Sequence, residues 1–219
     1  MAVSSAAEDY LKTIWALQTR GDPVTTGGVA AQLGVSSPSV SGMLKRLHTD
    51  GLVVRHASGD IGLTEQGQRH ALRVVRRHRL LETFLAQVLH MSWDEVHDEA
   101  ELLEHAVSDR LEARIDAVLG HPARDPHGDP IPPQDGDHEE RWAQPLAGAK
   151  LGARFVVERV SDRDSAALRY LAELGIGPGV RLLVEERAPF GGPLWVRIGD
   201  RREAIGPQLA CIVHGTEVT

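Results

Sequence analysis

The stretch His78–His105 reads HRLLETFLAQVLHMSWDEVHDEAELLEH and predicts two consecutive helices that carry histidines and carboxylates. His78 and Glu82 are four residues apart on the first predicted helix, so they share a face. On the second predicted helix, four side chains fall within about 100° of arc, because each residue advances a helix by about 100°. These four are His97, Glu101, Glu104 and His105. Two helix faces that both carry His and Glu can enclose a metal ion.

An apolar stripe borders this polar group on the second helix, which is predicted to run from Asp94 to about Leu119. The stripe consists of Leu103, Val107, Leu111, Ile115 and Val118. Glu and His at four-residue spacing are common on solvated helix faces. A polar group that borders the buried side of its helix favours a metal site instead. The stripe itself is either a dimer seam or ordinary intrachain core.

Length and composition place the chain among globular proteins. Its 219 residues are enough for one large domain or two to three small ones, and the 42% apolar content is ordinary. No apolar run approaches the ~20 residues of a membrane span, and the N-terminus lacks a signal-peptide pattern. We therefore expect a cytoplasmic protein with no membrane partner. The single cysteine, Cys211, excludes an intrachain disulfide framework, and its run LACIVH predicts a small buried residue on a strand.

The net charge of −7 conceals an asymmetry along the chain. The first 80 residues carry ten Lys and Arg against six Asp and Glu, a net charge of +4, which leaves −11 for the remainder. A positive N-terminal part suits contacts with phosphates, and an acidic remainder suits cation binding.

The N-terminal part predicts a helix-turn-helix. The first predicted helix covers residues 5–20. A short helix capped by Thr25 or Thr26 runs through Leu33, and a further helix runs to about Thr49. Gly34 suits the tight turn, Ser36 or Ser37 caps the next helix, and Pro38 stands in its first turn. Such a helix presents its N-terminal residues to the major groove. The candidate DNA contacts are Thr26, Ser36, Ser37, Pro38, Ser39, Ser41, Lys45 and Arg46.

The run LVVRHASGDIGLT that follows alternates like two short strands around Ser58-Gly59-Asp60. This pattern predicts a hairpin, which after a recognition helix is typical of a winged helix. The alternative is a helical hairpin used for protein contacts, but the serines and basic residues favour DNA. A long helix from about Glu65 to His90 comes next, and its arginines either approach the DNA backbone or form a solvated face. They are Arg73, Arg76 and Arg77.

In the C-terminal part of the chain, the sequence pattern changes from helices to a loop and then to short strands. Residues 121–146 are dense in Pro, Gly and Asp, and this composition predicts a loop without regular elements. The loop contains His121, His127 and His138. Scattered loop histidines of this kind usually do not bind metal. From about residue 147, short β-branched runs separated by turns predict a small barrel with one inserted helix over residues 166–174.

The segments RRHRLLETFL, VHDEAELLEHAVSDRLEARIDAVLG and HPARDPHGDPIP, with the winged helix before them, resemble the diphtheria toxin repressor family of metal-dependent transcriptional repressors. The resemblance covers nearly the whole chain and implies an α+β multidomain fold. It implies a winged helix-turn-helix DNA-binding domain over residues 1–74, a helical metal-binding and dimerisation domain over 75–140, and a linker with an SH3-like small β-barrel over 141–219.

The resemblance also implies two regulatory metal sites. The primary-site positions are Asp9, Glu101, Glu104 and His105, and the ancillary-site positions are His78, Glu82 and His97. The SH3-like domain adds a ligand in some members, for which Asp162 is the candidate here and Asp164 the rival.

Two departures from the iron-responsive branch bear on the metal. That branch has Met where this chain has Asp9 and Cys where it has Glu101, and oxygen-rich sites suit Mn²⁺ better than sulfur-containing ones. The resemblance therefore implies a manganese-dependent repressor of manganese uptake genes, with Fe²⁺ as the alternative metal. Lys12 replaces a Glu that helps build a close metal pair in a short manganese-responsive member, so we expect no such pair here.

The implied partner is palindromic double-stranded operator DNA, bound by one or two homodimers, and no organic substrate is implied. Two alternatives come from other classes of protein. A dimetal or hydrolytic metalloenzyme is disfavoured, because the sequence lacks HExxH and position 102 is Leu, so no Glu-x-x-His pair ends at His105. The other is a winged-helix regulator that senses a small organic ligand, for which DNA binding would be insensitive to chelators.

Overall fold

The computed structural model describes residues 3–56, 59–134, 138 and 140–218, and over these it forms two compact units. The first unit combines Met1–His78, Leu103–Ser108 and Pro132–Arg141. The second combines Arg79–Leu102, Asp109–Ile131 and Trp142–Thr219. No helix in the described part of the chain is both long and apolar enough to cross a membrane.

The first unit contains the predicted helix-turn-helix. Its helices are α1 (Ser5–Arg20), α2 (Thr26–Leu33) and α3 (Ser37–Thr49). The N-cap of α2 is Thr25, whose side chain accepts from the Gly28 amide, and that of α3 is Ser36, whose side chain accepts from the Ser39 amide. Gly34 has φ 65° in the turn, a conformation that favours glycine. The predicted helices are confirmed, and the caps are the first of each candidate pair.

A short antiparallel hairpin follows α3, as the alternating pattern predicts. It pairs β1 (Val53–Arg55) with β2 (Ile61–Leu63). Ser58 of the predicted turn lies outside the described residues. The buried core of this unit includes Leu11, Ile14, Val29, Val40 and Leu47, which come from all three preceding helices.

The central helices differ from the prediction in one respect. Helix α4 (Glu65–Val88) is confirmed, but the continuous helix predicted from Asp94 to about Leu119 is wrong. It is two helices, α5 (Val96–Leu103) and α6 (Asp109–Val118). The Ala106 amide donates to the Leu103 carbonyl at 2.9 Å, a tight three-residue turn that ends α5, and Ser108 precedes α6 at the position that favours an N-cap.

This break changes the geometry of the polar group. Glu104 and His105 lie in the turn after α5, so a common helix face is left only to His97 and Glu101. The apolar stripe is divided in the same way: Val107 and Ile115 are buried, whereas Leu103, Leu111 and Val118 are exposed.

The second unit contains an antiparallel sheet of six described strands in the order β3-β8-β4-β5-β6-β7. Phe155, Val184 and Val196 from the sheet and Leu168 and Leu171 from helix α7 are buried in its core. The elements are β3 (Gln144–Pro145), β4 (Arg154–Val160), α7 (Ser165–Leu174), β5 (Arg181–Arg187), β6 (Leu194–Ile198), β7 (Arg201–Ile205), α8 (Pro207–Ile212) and β8 (Val213–Val218).

Two expectations about this unit are wrong. Cys211 is exposed on the short helix α8 and is not a buried strand residue, because Pro207 in the first turn starts a helix where the apolar run indicated a strand. The stretch 121–146 also contains regular pairing, since β3 pairs with β8 and Arg124 bridges Pro130.

Candidate metal centres and nucleic-acid interface

Apart from Thr26 in α2 and the N-cap residue Ser36, the predicted DNA-contacting residues lie on α3. Val40, Leu44 and Leu47 point into the core, which leaves the opposite face of the helix to solvent. Of the predicted residues, Thr26 is half-buried, and the following are exposed: Ser36, Ser37, Pro38, Ser39, Ser41, Lys45 and Arg46.

Within this face, Ser37, Ser41 and Lys45 are four residues apart and form an exposed row. The Ser36 and Ser39 hydroxyls are 2.9 Å apart and keep the first turn in place. Hydroxyls near a helix N-terminus with a lysine two turns further along can contact phosphates and base edges.

The arginines of α4 are partly engaged within the chain. Arg76 donates to the Pro132 carbonyl at 2.7 Å, and Arg77 donates to the Glu104 carbonyl at 3.1 Å. Arg73 is exposed. Arg76 and Arg77 therefore hold later segments of the first unit against α4, a role that neither sequence alternative included.

The first cluster of candidate metal ligands lies in the first unit and joins α1 to the turn after α5. It contains Asp9, Glu104 and His105, and one ligand atom from each lies within 4.8 Å of the others. His105 Nε2 is 2.7 Å from Asp9 Oδ1, and its Nδ1 is 2.8 Å from Glu8 Oε2. Glu8 is a carboxylate that the sequence analysis did not single out.

Glu104 is fully buried, and protein cations surround its carboxylate. Lys12 Nζ is 2.8 Å from both carboxylate oxygens, and His78 Nδ1 is 2.6 Å from Oε2. Burial alone would raise the pKa of Glu104, but the hydrogen bond with His78 and the charge of Lys12 outweigh it and lower that pKa. The structure thus places His78, predicted as an ancillary ligand, beside a predicted primary ligand.

The pKa values of Asp9 and His105 are both raised, which favours a proton shared between the two side chains. Burial raises the pKa of the Asp9 carboxyl, against the opposing hydrogen bond with His105. Burial would lower the pKa of His105, but hydrogen bonds with Glu8 and Asp9 raise it. A metal ion that binds His105 must replace a proton on its ring, because only the neutral imidazole has a lone pair to offer.

The second cluster lies in the second unit and brings α4, α5 and the segment before α7 together. His97 Nδ1 is 3.1 Å from Asp162 Oδ2 and 3.3 Å from Glu82 Oε1. Asp164, the rival of Asp162, instead caps α7 by accepting from the Ala166 and Ala167 amides. The geometry therefore favours Asp162 over Asp164 as a candidate ligand. Glu101 is nearby, with Oε1 3.9 Å from His97 Nε2.

Two further residues belong to this cluster: Asp125, which the sequence did not single out, and His127, which was expected to be a loop histidine that does not bind metal. Ligand atoms of Glu82, Asp125 and His127 lie within 4.8 Å of one another, and all three residues are buried. His127 Nε2 is 2.6 Å from the Trp93 carbonyl, to which it donates, so Nδ1 carries the lone pair and lies 3.7 Å from Glu82 Oε1.

The loop that carries His127 is held in a fixed conformation. The Asp125 carboxylate accepts from the amides of His127 and Asp129 at 2.9 Å each. Gly128 has φ 93° and packs so closely on the Glu158 carbonyl that a Cβ would collide with it. Burial, reinforced by the charge of Glu82, raises the pKa of Asp125. The DPHGDP motif was the available signal, since an Asp and a His flank a turn glycine.

The other loop histidines are placed differently. His121 is exposed and pairs with Asp116 at 2.9 Å. His138 Nε2 is 3.4 Å from Glu140 Oε2.

The protonation of His97 gives a pH prediction for the metal-free protein. Burial opposes its charge, but hydrogen bonds with Asp162 and Glu82 outweigh burial and raise the pKa of His97 to about 11. Because this folded pKa lies above the unfolded one, the stabilisation is complete below about pH 6.5 and is lost as the pH rises toward about 11. In EDTA, the difference in free energy of unfolding between the wild type and His97→Gln should shrink from about pH 6 to about pH 10.

Urea unfolding at several pH values measures this difference. His121→Gln, at an exposed position, is the matched control and should differ little from the wild type throughout. A wild-type advantage over His97→Gln that is independent of pH contradicts the assignment.

Both clusters consist of carboxylates and imidazoles, and the candidate ligand atoms of each group lie within 4.8 Å of one another. This is a donor set that divalent cations of the Mn²⁺ to Zn²⁺ series accept. A divalent ion there would neutralise charge that the protein itself now offsets with Lys12 and protonated histidines. Together with the winged helix and its exposed recognition face, these clusters define a DNA-binding protein with metal sites.

Comparison with known proteins gives the family. Residues 2–60 match the family "Iron dependent repressor, N-terminal DNA binding domain". Residues 64–133 match "Iron dependent repressor, metal binding and dimerisation domain". Residues 144–216 match the FeoA domain. The chain belongs to the diphtheria toxin repressor family and is a metal-dependent transcriptional repressor.

Its relatives include iron- and manganese-dependent proteins. The iron-dependent repressor IdeR of Mycobacterium leprae is 38% identical over 224 residues, 96% of each chain. The diphtheria toxin repressor of Corynebacterium glutamicum is 39% identical over 187 residues, 80% of this chain and 81% of that one. The solved structure of a manganese-dependent transcriptional repressor in complex with manganese is 47% identical, covers 97% of this chain and 100% of its own, and has a TM-score of 0.91.

These matches confirm the predicted α+β fold class, with its DNA-binding, helical metal-binding and SH3-like parts. They also decide against the enzyme hypothesis, because the family members are transcriptional repressors.

Proposed function

We propose that this protein is a manganese(II)-dependent repressor of manganese uptake genes, in which the metal is the corepressor. The observation that carries the proposal is the first cluster, where Asp9 and Glu104 offer carboxylate oxygens beside His105. Oxygen donors with one imidazole suit Mn²⁺, whereas a thiolate or thioether would favour softer ions. The 47% identity to a manganese-dependent repressor supports the same metal.

We assign the primary metal to Asp9, Glu104 and His105, with Glu101 as the further ligand that the sequence implies. The ancillary metal is assigned to Glu82, His97 and Asp162, with His78 as the further ligand that the resemblance implies. Buried Asp125 and His127, whose Nδ1 lies 3.7 Å from Glu82 Oε1, are further candidate ligands of this second group.

The first cluster suggests how binding would act on the DNA-binding unit. Asp9 belongs to α1, which packs on α2, and Glu104 and His105 belong to a later turn of the same unit. An ion held by all three ties α1 to that turn. Metal acts as a corepressor only if it binds the DNA-competent arrangement more tightly than other arrangements, because a ligand shifts an equilibrium by its differential affinity.

The partners follow from the same proposal. A reading helix contacts few base pairs, so a two-fold homodimer on a palindromic operator is needed for useful specificity. Exposed apolar side chains on α5 and α6, Leu102, Leu111 and Val118, suit a protein contact. A repressor works in the compartment that holds the genome, so we propose the cytoplasm as its location.

An electrophoretic mobility-shift titration tests the proposal. A palindromic fragment from the promoter of a manganese transporter gene is titrated with protein in Mn²⁺, in anaerobic Fe²⁺, in Zn²⁺ and in EDTA. We expect retarded complexes at the lowest metal concentration with Mn²⁺ and none with EDTA. Stronger activation by Fe²⁺ than by Mn²⁺ would favour the iron-dependent alternative that the mycobacterial relatives represent, and DNA binding that is equal in EDTA contradicts metal dependence altogether.

A further inference from the structure

Lys12 is the cation that faces the first cluster from within the protein. It lies on α1 three residues after Asp9, so the two side chains project from the same side of the helix. Its Nζ is 2.8 Å from each oxygen of Glu104 and 3.4 Å from His78 Nδ1. The Lys12 side chain is 18% exposed and that of Glu104 is 0% exposed, so this pair is shielded from water.

We propose that Lys12 is a built-in counter-cation that competes with the metal for Glu104 and thereby sets the metal concentration at which this repressor responds. The proposal rests on the function proposed above, and it concerns how strongly the primary site binds its ion.

The geometry makes competition unavoidable at Glu104. The ammonium group sits symmetrically between both oxygens, and His78 also reaches Oε2. A metal ion that shares Glu104 with Asp9 and His105 would therefore approach a carboxylate that is already ion-paired. Either the ammonium leaves both oxygens, or a dication and an ammonium remain close together in a buried site, and each possibility weakens metal binding.

The same contact explains how the metal-free protein can bury Glu104 without its ion. An uncompensated buried carboxylate is strongly destabilising, and Lys12 supplies the positive charge that the ion would otherwise bring. Lys12 thus stabilises the metal-free protein and lowers the affinity of the first cluster for metal. Both effects raise the metal concentration at which the repressor responds.

Removing the charge of Lys12 tests the inference. Lys12→Gln keeps a hydrogen-bond donor for Glu104 but has no charge, and Lys12→Arg keeps the charge. Lys150→Gln makes the same change of net charge at a side chain that is 85% exposed, and is the matched control. Each protein is stripped of metal, its melting temperature is measured in EDTA, and Mn²⁺ binding is measured by isothermal titration calorimetry.

We expect Lys12→Gln to bind Mn²⁺ at the first cluster about tenfold more tightly or better, and to melt at a lower temperature in EDTA than the wild type. Lys12→Arg and Lys150→Gln should bind Mn²⁺ within about threefold of the wild type. In mobility-shift titrations, Lys12→Gln should need correspondingly less Mn²⁺ for half-maximal DNA binding.

The outcomes separate this inference from the proposed function. A wild type that binds Mn²⁺ together with a Lys12→Gln variant that binds it equally or more weakly overturns the role of Lys12 alone. Absence of Mn²⁺ binding by the wild type and by both Lys12 variants overturns the proposed function. If Lys12→Gln is unfolded in EDTA, recovery of its fold at lower Mn²⁺ than saturates the wild type supports the inference, and lack of recovery overturns it.

Discussion

Glu104→Gln is expected to reduce Mn²⁺ affinity at the first cluster by more than about 100-fold and to abolish metal-dependent operator binding. Glu104 is fully buried, and its carboxylate lies between α1 and the turn after α5. An amide has one oxygen and no charge, so it is a poor ligand for a hard dication. The effect is large because the residue contributes both a ligand and the negative charge of the site. Calorimetric Mn²⁺ titration and mobility-shift assays measure the two losses.

The substitution also leaves the half-buried Lys12 ammonium without its carboxylate, which destabilises the fold by about 1–3 kcal/mol. The double variant Lys12→Gln with Glu104→Gln removes both charges, so it should recover most of that stability while Mn²⁺ binding stays lost. Glu99→Gln, an exposed carboxylate on α5, is the control and should behave as the wild type. Metal-dependent DNA binding that survives in a folded Glu104→Gln protein would show that Glu104 is not a ligand.

The helix-turn-helix was predictable because its signals are local. Thr25 and Ser36 each cap a helix by accepting from the amide three residues further along, and Gly34 adopts the positive φ that glycine tolerates. The sequence left only the choice between neighbouring capping residues open. The alternation of residues on either side of Gly59 similarly predicts the two strands β1 and β2.

The break between α5 and α6 was not predictable in the same way. No Gly or Pro stands in Glu104–Ser108. The helical spacing of apolar residues continues through this segment, so the sequence predicts an unbroken helix. What decides the conformation is distant in sequence: Glu104 is buried against Lys12 and His78, and Arg77 donates to the Glu104 carbonyl. Tertiary contacts that satisfy a buried carboxylate override the local preference for helix.

The second cluster shows the same dependence on distant contacts. Glu82 and His97 were identified because they lie in a regular pattern, whereas His127 lies in a loop rich in Pro and Gly. Its role as a candidate ligand follows from the Trp93 carbonyl, which fixes the Nε2 proton, and from the proximity of Nδ1 to Glu82. Neither contact produces a regular spacing of residues that could be recognised in the sequence. For Asp162 and Asp164, the choice depended on which of them caps α7.

Asp9→Met is expected to change which metal activates the repressor. Asp9 Oδ1 is 2.7 Å from His105 Nε2, so position 9 lies at the centre of the first cluster. A thioether there replaces a hard, charged oxygen by a soft, neutral sulfur, which penalises Mn²⁺ and is better tolerated by Fe²⁺ and the later divalent ions. We expect the affinity for Mn²⁺ to fall by about tenfold or more, and the ratio of Fe²⁺ to Mn²⁺ affinity to rise by about tenfold.

Competition between Mn²⁺ and anaerobic Fe²⁺ or Co²⁺, followed by calorimetry and by mobility shift, measures this ratio. Asp9→Ala is the matched control, because it removes the oxygen without adding sulfur and should weaken all the ions without favouring the later ones. Asp9 is partly exposed, and His105 keeps Glu8 as a hydrogen-bond partner at 2.8 Å, so both variants should fold. An unchanged ranking of the metals in Asp9→Met would mean that the preference for manganese arises from another part of the protein than the donor atom at position 9.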